Sequence, residues 1–369
     1  MTPSARTVEV DSLAAFDAHL VGSTSLDGWF VQAVDLTGRG EALRRVHVRG
    51  AVFLGCLLTE AQESSLRARG ALLFPSLPDL PFDPYRPRLY AAEDLYGAVA
   101  GPYARSADAA IYAWSRPAGP TAGLAHTLAA ALHDHSIGDA LDDASADLDP
   151  RQVVGVRGGH ALRRGEPDYR AAAELGERLT RGGKTVLTGG GPGAMEAANL
   201  GAYLSPWPGA LTEALPVLTV ADGWASDVDR WLAGAFAVRD RWPAAEAGAS
   251  FSVPTWFYGH EPTNVFATGI AKYFANALRE DTLLHRCRGG IVYLPGQAGT
   301  VQEIFQAVTD NFYAVDSAEL SPMVLVGRAY WTATYPAWPL LERLARGRSM
   351  AGVVSVVDTV AEAADVILT

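Results

Sequence analysis

The sequence predicts an α/β protein, a doubly wound parallel sheet with helices on both faces over residues 149–369, preceded by an N-terminal accessory domain. Three observations lead there. From residue 151 onward, short apolar runs of about four to six residues alternate with helical patterns of about ten or more. Two of the strand-to-helix junctions are glycine-rich, TGGGPGAMEAANLGA (188–202) and YLPGQAGTVQE (293–303). The acidic stretch DDASADLDP (142–150) separates this pattern from a differently composed beginning, and Asp149-Pro150 stops any helix there. The expected domains are residues 1–148, accessory with linker, and 149–369, Rossmann-like.

Taken in order, residues 1–115 carry scattered Phe, Trp and Leu and a proline cluster, FPSLPDLPFDPYRPRLY (74–90), that favours extended and turn structure. VHVRGAVFLGCLLTE (46–60) reads as a buried strand or a solenoid-like turn, with no clear repeat around it. Residues 125–141 read as a helix with Leu128, Ala131, Leu132 and Ile137 at apolar positions. In the second domain, strands are expected at Val153–Val156, Thr185–Thr188, Phe251–Phe257, Gly290–Leu294, Met323–Val326 and Val353–Val357. Helices are expected at Asp168–Arg181, Ala194–Tyr203, Asn264–Arg279, Val301–Phe312, Pro339–Arg346 and Val360–Ile367. A helical, Trp-containing insert over 209–245 interrupts the alternation.

Composition narrows the function. The chain has 369 residues, 49% hydrophobic and 19% charged, which is enough for a sizeable core. A net charge of −11 repels nucleic-acid backbones, so a duplex is disfavoured as a partner while a mononucleotide is compatible. Neither Cys56 nor Cys287 sits in a metal-ligand spacing, so no metal is expected, and two cysteines in a chain this long fit a reducing cytoplasm. The beginning of the sequence lacks the pattern of a secretory signal, and the apolar run Ala51–Thr59 is too short to span a bilayer, so no membrane partner is expected.

The two glycine-rich loops carry the chemistry. Gly189, Gly190, Gly191 and Gly193 follow a strand and open a helix. Such a turn lets backbone approach a ligand without a Cβ in the way, and the helix start offers unpaired N–H groups suited to a phosphate. A tight turn with no ligand would look the same. Gly296, Gly299 and Thr300 form a second turn of this kind, with Thr300 as its expected cap. The next helix puts Val301, Ile304, Phe305, Val308 and Phe312 on one stripe, so Glu303, about 200° from Val301, is expected to face away from the core. As a first-turn carboxylate it suits the helix dipole with no chemical role. On the expected helix 264–279, Phe266, Ile270, Tyr273, Phe274 and Ala277 share an apolar face opposite Thr268, Lys272, Asn276 and Arg279. Gly159 and His160 end the first strand, and His260 and Glu261 lie near a strand end, at the edge where doubly wound sheets bind ligands.

GGGPGAMEAA (189–198) and PGQAGTVQE (295–303) together resemble the LOG (Lonely Guy) family of phosphoribohydrolases, over roughly residues 151–330. The resemblance implies a Rossmann-like fold, a dimer and cleavage of the N-glycosidic bond of nucleoside 5′-monophosphates to free base and ribose 5-phosphate, with no cofactor. It implies that the glycines and Thr300 contact phosphate and ribose, that Glu303 is the catalytic carboxylate, and that Arg279 is the catalytic arginine. Arg279 is displaced by one residue from the family spacing, and Gln297 stands where the family has glycine. Residues 1–148 have no counterpart in the short members. Trp224, Trp231 and Trp242 on the insert supply aromatic residues of the type enriched at interfaces, in keeping with a homodimer.

Two functions are carried forward: a nucleoside-5′-monophosphate phosphoribohydrolase, and a non-catalytic nucleotide or cofactor binder using the same loops. Glu303 separates them, because a carboxylate beside a phosphate repels the ligand and gives a pure binder nothing. A dehydrogenase is less favoured, since the first strand ends in RGGH rather than in a GxGxxG loop.

Overall fold

A computed structural model describes residues 8–97, 101–116, 123–257 and 261–369. By Cα packing the chain divides into two compact units, Met1–Arg88 with Pro120–Ala140, and Leu89–Gly119 with Leu141–Thr369. Residues 89–119 and 141–148, placed with the accessory domain by the sequence, thus group with the C-terminal unit.

The first unit is built from β1 (Val8–Val10), α1 (Leu13–Leu20), β2 (Trp29–Gln32), α2 (Gly40–Arg45), β3 (Val52–Leu54), α3 (Glu60–Ala68) and β4 (Leu72–Phe74). The strands form one parallel sheet in sequence order. Its register places Val8 beside Trp29, Phe30 beside Val52, and Val52 beside Leu72, a repeat of about 20–22 residues. Further parallel bridges, Ser25 to His47 and Asp35 to Leu57, keep the same period outside the strands. Ala33 and Gly55, equivalent positions in successive coils, both turn the chain at positive φ. Phe16, Trp29, Val31, Leu36, Phe53 and Leu66 fill the interior. The turn expected within 46–60 is therefore one coil of a short strand–helix solenoid, in which each coil buries its neighbour.

The chain continues through α4 (Ala92–Tyr96), α5 (Ala107–Ser115) and α6 (Leu124–Ser145). The C-terminal unit follows with β5 (Val153–Arg157), α7 (Pro167–Arg181), β6 (Thr185–Thr188), α8 (Ala194–Leu204), α9 (Ala210–Leu218), α10 (Val228–Arg241), β7 (Ser250–Ser252), β8 (Gly269–Ile270) and α11 (Asn276–His285). It ends with β9 (Ile291–Tyr293), α12 (Ala298–Tyr313), β10 (Met323–Val326), α13 (Ala337–Ala345), β11 (Val354–Val357) and α14 (Val360–Leu368). The sheet order is β11-β10-β9-β5-β6-β7-β8, all parallel. The α/β doubly wound architecture expected from the alternation is present. The chain winds outward from β5 to β8, returns to β9 beside β5, and winds outward again. The switch point lies between the carboxyl ends of β5 and β9, where such sheets open a crevice. Every residue of β5, β9 and β10 is buried, as strands covered on both faces require.

One expected element is absent. Asn264–Arg279 is not a helix: Gly269–Ile270 pairs with β7 as an edge strand, and the helix begins only at Asn276. The apolar residues that share a helical face in projection are instead buried along an extended path, Phe266, Ile270 and Tyr273 among them. The interior glycine at 269 weakens a helix and sits where a Cβ would press on Phe251 and Leu89. Lys272, expected on the polar face of that helix, is buried.

Candidate functional site at the switch point

Three loops meet at the carboxyl ends of β5, β6 and β9, and Gly159 joins them. Its N–H donates to the Pro295 carbonyl at 3.0 Å, and its own carbonyl accepts from Ala194 N, the first residue of α8, at 3.1 Å. Gly193 caps α8 at φ +73, and a side chain there would run into the Gly159 carbonyl oxygen and the His160 backbone. Glycine at 193 is thus imposed by backbone conformation and by close approach together. Gly296 is comparably confined, since a Cβ would collide with Thr300 Oγ1.

The first loop is held from below by a buried polar network. Thr188 Oγ1 donates to Asn199 Oδ1 at 2.6 Å, Asn264 Nδ2 reaches both Asn199 Oδ1 and the Gly191 carbonyl at 3.2 Å, and Asn264 N donates to the Gly190 carbonyl at 2.8 Å. Gly190 N is satisfied by Thr188 Oγ1 at 3.0 Å. The Gly189 carbonyl accepts from Arg279 at 3.3 Å. Asn199 and Asn264 are absent from the sequence-derived site. The signal that could have found Asn199 is a polar side chain which, with Glu196, interrupts a helix otherwise made of apolar and small residues.

The second loop differs from expectation in its cap. α12 starts at Ala298 with Gln297 as N-cap, and no side-chain cap bond forms, so Thr300 lies inside the first turn and is buried. The N–H groups of Ala298, Gly299 and Thr300 find no acceptor among the described residues. A helix start of this kind favours an anion.

Glu303 corrects the largest expectation. It is 8% exposed, on the face with Thr300, Ile304, Ala307, Val308 and Asn311, while Val301 and Phe305 lie half-buried on the flank. What turns it inward is charge. Its carboxylate lies 3.8 Å from Arg157 Nε and 3.7 Å from Arg279, whose guanidinium also pairs with Glu280 at 2.8 Å. Burial pushes the Glu303 carboxyl above the ordinary carboxylate range, while Arg157 and Arg279 oppose the rise and Glu280 adds to it.

Both arginines are occupied as braces. Arg157, the last residue of β5, donates to the carbonyls of Leu187 at 3.0 Å and Leu283 at 2.9 Å. Arg279 donates to the Val253 carbonyl at 2.8 Å as well as to Gly189. Arg157 and Glu280 were not singled out in the sequence, where an arginine ending a buried strand reads as loop. His160 is exposed and lies 3.6 Å from Glu261, so these two candidates do meet at the mouth of the first loop. His260 lies outside the described residues.

The insert is helical, as expected, but Trp231 and Trp242 are buried within this unit rather than displayed, and Trp224 is half-buried. The aromatic surface expected to support a dimer is therefore mostly spent on the unit's own packing. No helix among the described residues is long and apolar enough to cross a membrane.

No family model matches the chain, and no curated protein matches it. Among solved structures, the molybdenum cofactor carrier protein of Chlamydomonas reinhardtii is 18% identical, with 58% of this chain and 94% of that chain covered, at a TM-score of 0.36. The molybdenum cofactor binding protein from the phototrophic bacterium Rippkaea orientalis is 15% identical over the same shares, at 0.36. A second structure of the Chlamydomonas reinhardtii carrier is 20% identical over those shares, at 0.35. Scores this low carry no inference about what this chain binds. The similarity to LOG phosphoribohydrolases accordingly stays a resemblance of two loops.

Proposed function

We propose that the C-terminal unit binds a small phosphorylated ligand of the nucleoside-monophosphate type at the switch point, and that binding rather than bond cleavage is its activity. The observation that carries this is Gly159, whose two backbone hydrogen bonds draw both glycine-rich loops into one crevice. Two helix starts, α8 and α12, then contribute their positive ends to a single place. The residues that the LOG resemblance makes catalytic have other employment here. Glu303 is the buried counter-charge of Arg157 and Arg279, and Arg279 spends its donors on Val253, Gly189 and Glu280.

A second reading, the phosphoribohydrolase, is favoured by one observation. The Glu303 carboxyl is held above its ordinary range in the second turn of α12, behind the unpaired N–H groups that open it. Raised carboxyl groups serve glycoside cleavage, in which water adds across the C1′–N bond to give the free base and ribose 5-phosphate. One experiment separates the readings: calorimetric titration with AMP and adenosine, alongside chromatographic assay of base release. AMP binding without release of adenine supports the binder. Release of adenine with ribose 5-phosphate moves the assignment to the hydrolase. Equal affinity for AMP and adenosine would refute phosphate anchoring altogether. A homodimer rests on the resemblance alone, and light scattering that gives a single 39.1 kDa particle at micromolar concentration would exclude it.

A further inference from the structure

A cavity of about 450 Å³ opens beside the crevice, bounded by the loop after β5, the start of α8 and the connection between α9 and α10. It shares His160, Pro192 and Gly193 with the loops already described, so it begins where those loops meet. Its far wall, Asp222–Ser226 with Trp231, belongs to the helical insert, which has no place in a simple strand–helix alternation.

The cavity is built rather than left over. Arg164 and Glu196, each with a side chain 1% exposed, form a two-point pair beneath it, with Nε to Oε2 at 3.2 Å and Nη2 to Oε1 at 2.5 Å. The same guanidinium donates to the Trp231 carbonyl at 2.9 Å and the Ala221 carbonyl at 3.4 Å, and Arg164 N donates to the Asp222 carbonyl at 3.0 Å. One buried cation thus fastens the loop after β5, the start of α8 and both sides of the insert. Arg164 also lies over the Trp231 ring at 4.5 Å, which commits a face of that indole to the interior. Trp224, half-buried on the connecting loop, is the aromatic wall nearer to solvent. Arg163, paired with Asp222 at 3.7 Å, and His160 put basic groups at the rim of a protein of net charge −11.

We propose that this cavity seats the planar nitrogen heterocycle of the ligand whose phosphate is held in the crevice, with Trp224 as the stacking surface and Asp222 as an acceptor for ring N–H groups. The inference rests on the phosphate-binding reading above and names the part of the ligand that the loops leave unspecified. The volume lies within the roughly 300–1,000 Å³ of small-molecule sites, and two indoles with a few fixed polar groups are the lining such sites use. A wall fixed in advance by Arg164 and Glu196 loses little freedom when the ring enters. The insert then has a reason to stand where it does: it supplies the ring site that the two loops lack.

The test compares AMP with ribose 5-phosphate, which shares the phosphate and sugar and lacks the ring, by calorimetry on the full chain. The wild type should bind AMP at least about tenfold more tightly than ribose 5-phosphate, the scale of one base stacked on one aromatic side chain. Trp224→Ala should abolish that preference and leave ribose 5-phosphate affinity within about twofold. Trp224→Phe should keep the preference but lose the change in tryptophan fluorescence that AMP causes, which holds the proposal to account even where the alanine variant folds poorly. Equal affinities in the wild type, or a preference that survives Trp224→Ala, would overturn the ring site while leaving phosphate binding intact. Binding of neither compound would refute the phosphate reading itself, and the ring site with it.

Discussion

The Arg164–Glu196 pair permits a stability prediction whose size follows from its geometry. Glu196→Met keeps the side-chain volume and removes both acceptors, leaving a guanidinium in a site with no exposure to water to replace them. Breaking a buried pair from one side costs about 3–5 kcal/mol. The lower half of that range applies here, because Arg164 keeps its bonds to the Trp231 and Ala221 carbonyls and its contact with the Trp231 ring. A loss of about 3 kcal/mol is therefore expected. Arg164→Met should cost a similar amount through the stranded carboxylate. The double variant replaces an ion pair by two apolar side chains of like volume, a change that is often near neutral, and should lose no more than about 2 kcal/mol. Urea unfolding of the four proteins closes a double-mutant cycle, with an expected coupling of at least about 4 kcal/mol that is insensitive to salt because the pair is shielded from ions. A coupling below about 1 kcal/mol, or one that vanishes in high salt, would show that the pair is not the fastening described above.

Other outcomes follow from single positions. Gly193→Ala, at positive φ and against the Gly159 carbonyl, should cost about 1–3 kcal/mol and lose ligand binding, whereas Gly299→Ala meets open space and should stay within about 1 kcal/mol in melting experiments. Because burial raises the Glu303 carboxyl, the native state binds its proton more tightly than the unfolded chain does; that contribution is complete below the unfolded carboxylate range and is lost as pH rises through the raised value. Glu303→Gln, neutral throughout, should flatten that pH dependence, and an unchanged fall in stability between acid and pH 7 would refute this. Burial pushes the Cys56 thiol up to about 11 and also raises Cys287, so a chromogenic disulfide reagent at pH 8 should titrate both thiols only after unfolding, and rapid labelling of the native chain would contradict the burial.

The sheet and both glycine-rich loops are legible in the sequence because each element there is decided locally. Val153–Val156 and Met323–Val326 are apolar throughout, and Gly189–Gly193 and Gly296–Thr300 sit at the junctions that follow strands. What escaped is decided by partners distant in sequence. The solenoid of the first unit has strands of three or four residues, and its period is carried by inward side chains as different as Trp29, Ala51 and Ala71. Residues 264–275 satisfy a helical projection, yet β7 leaves an open edge that Gly269–Ile270 completes, and Asp108 holds Lys272 at 2.6 Å in the interior. Periodicity along one segment cannot register an open sheet edge or a buried carboxylate elsewhere in the chain.

Glu303 is the sharpest instance, and it bears on function. Helical geometry places it off the stripe of Val301 and Phe305, but its orientation is set by Arg157, which no local pattern connects to it. Arg157 ends β5 two residues before Gly159, and its bonds to Leu187 and Leu283 fix where that strand stops. The position of Gly159 fixes in turn the contact between the two loops. The charge cluster of Arg157, Arg279, Glu280 and Glu303 therefore lies one layer beneath the crevice and sets the spacing of its walls. A cluster with that task is best served by remaining balanced and immobile, whereas a carboxylate that must stabilise a transient cation in each turnover is best left without a permanent one beside it. Two permanent cations within 4 Å of Glu303 favour a cradle for a phosphorylated ligand over a cleaving centre.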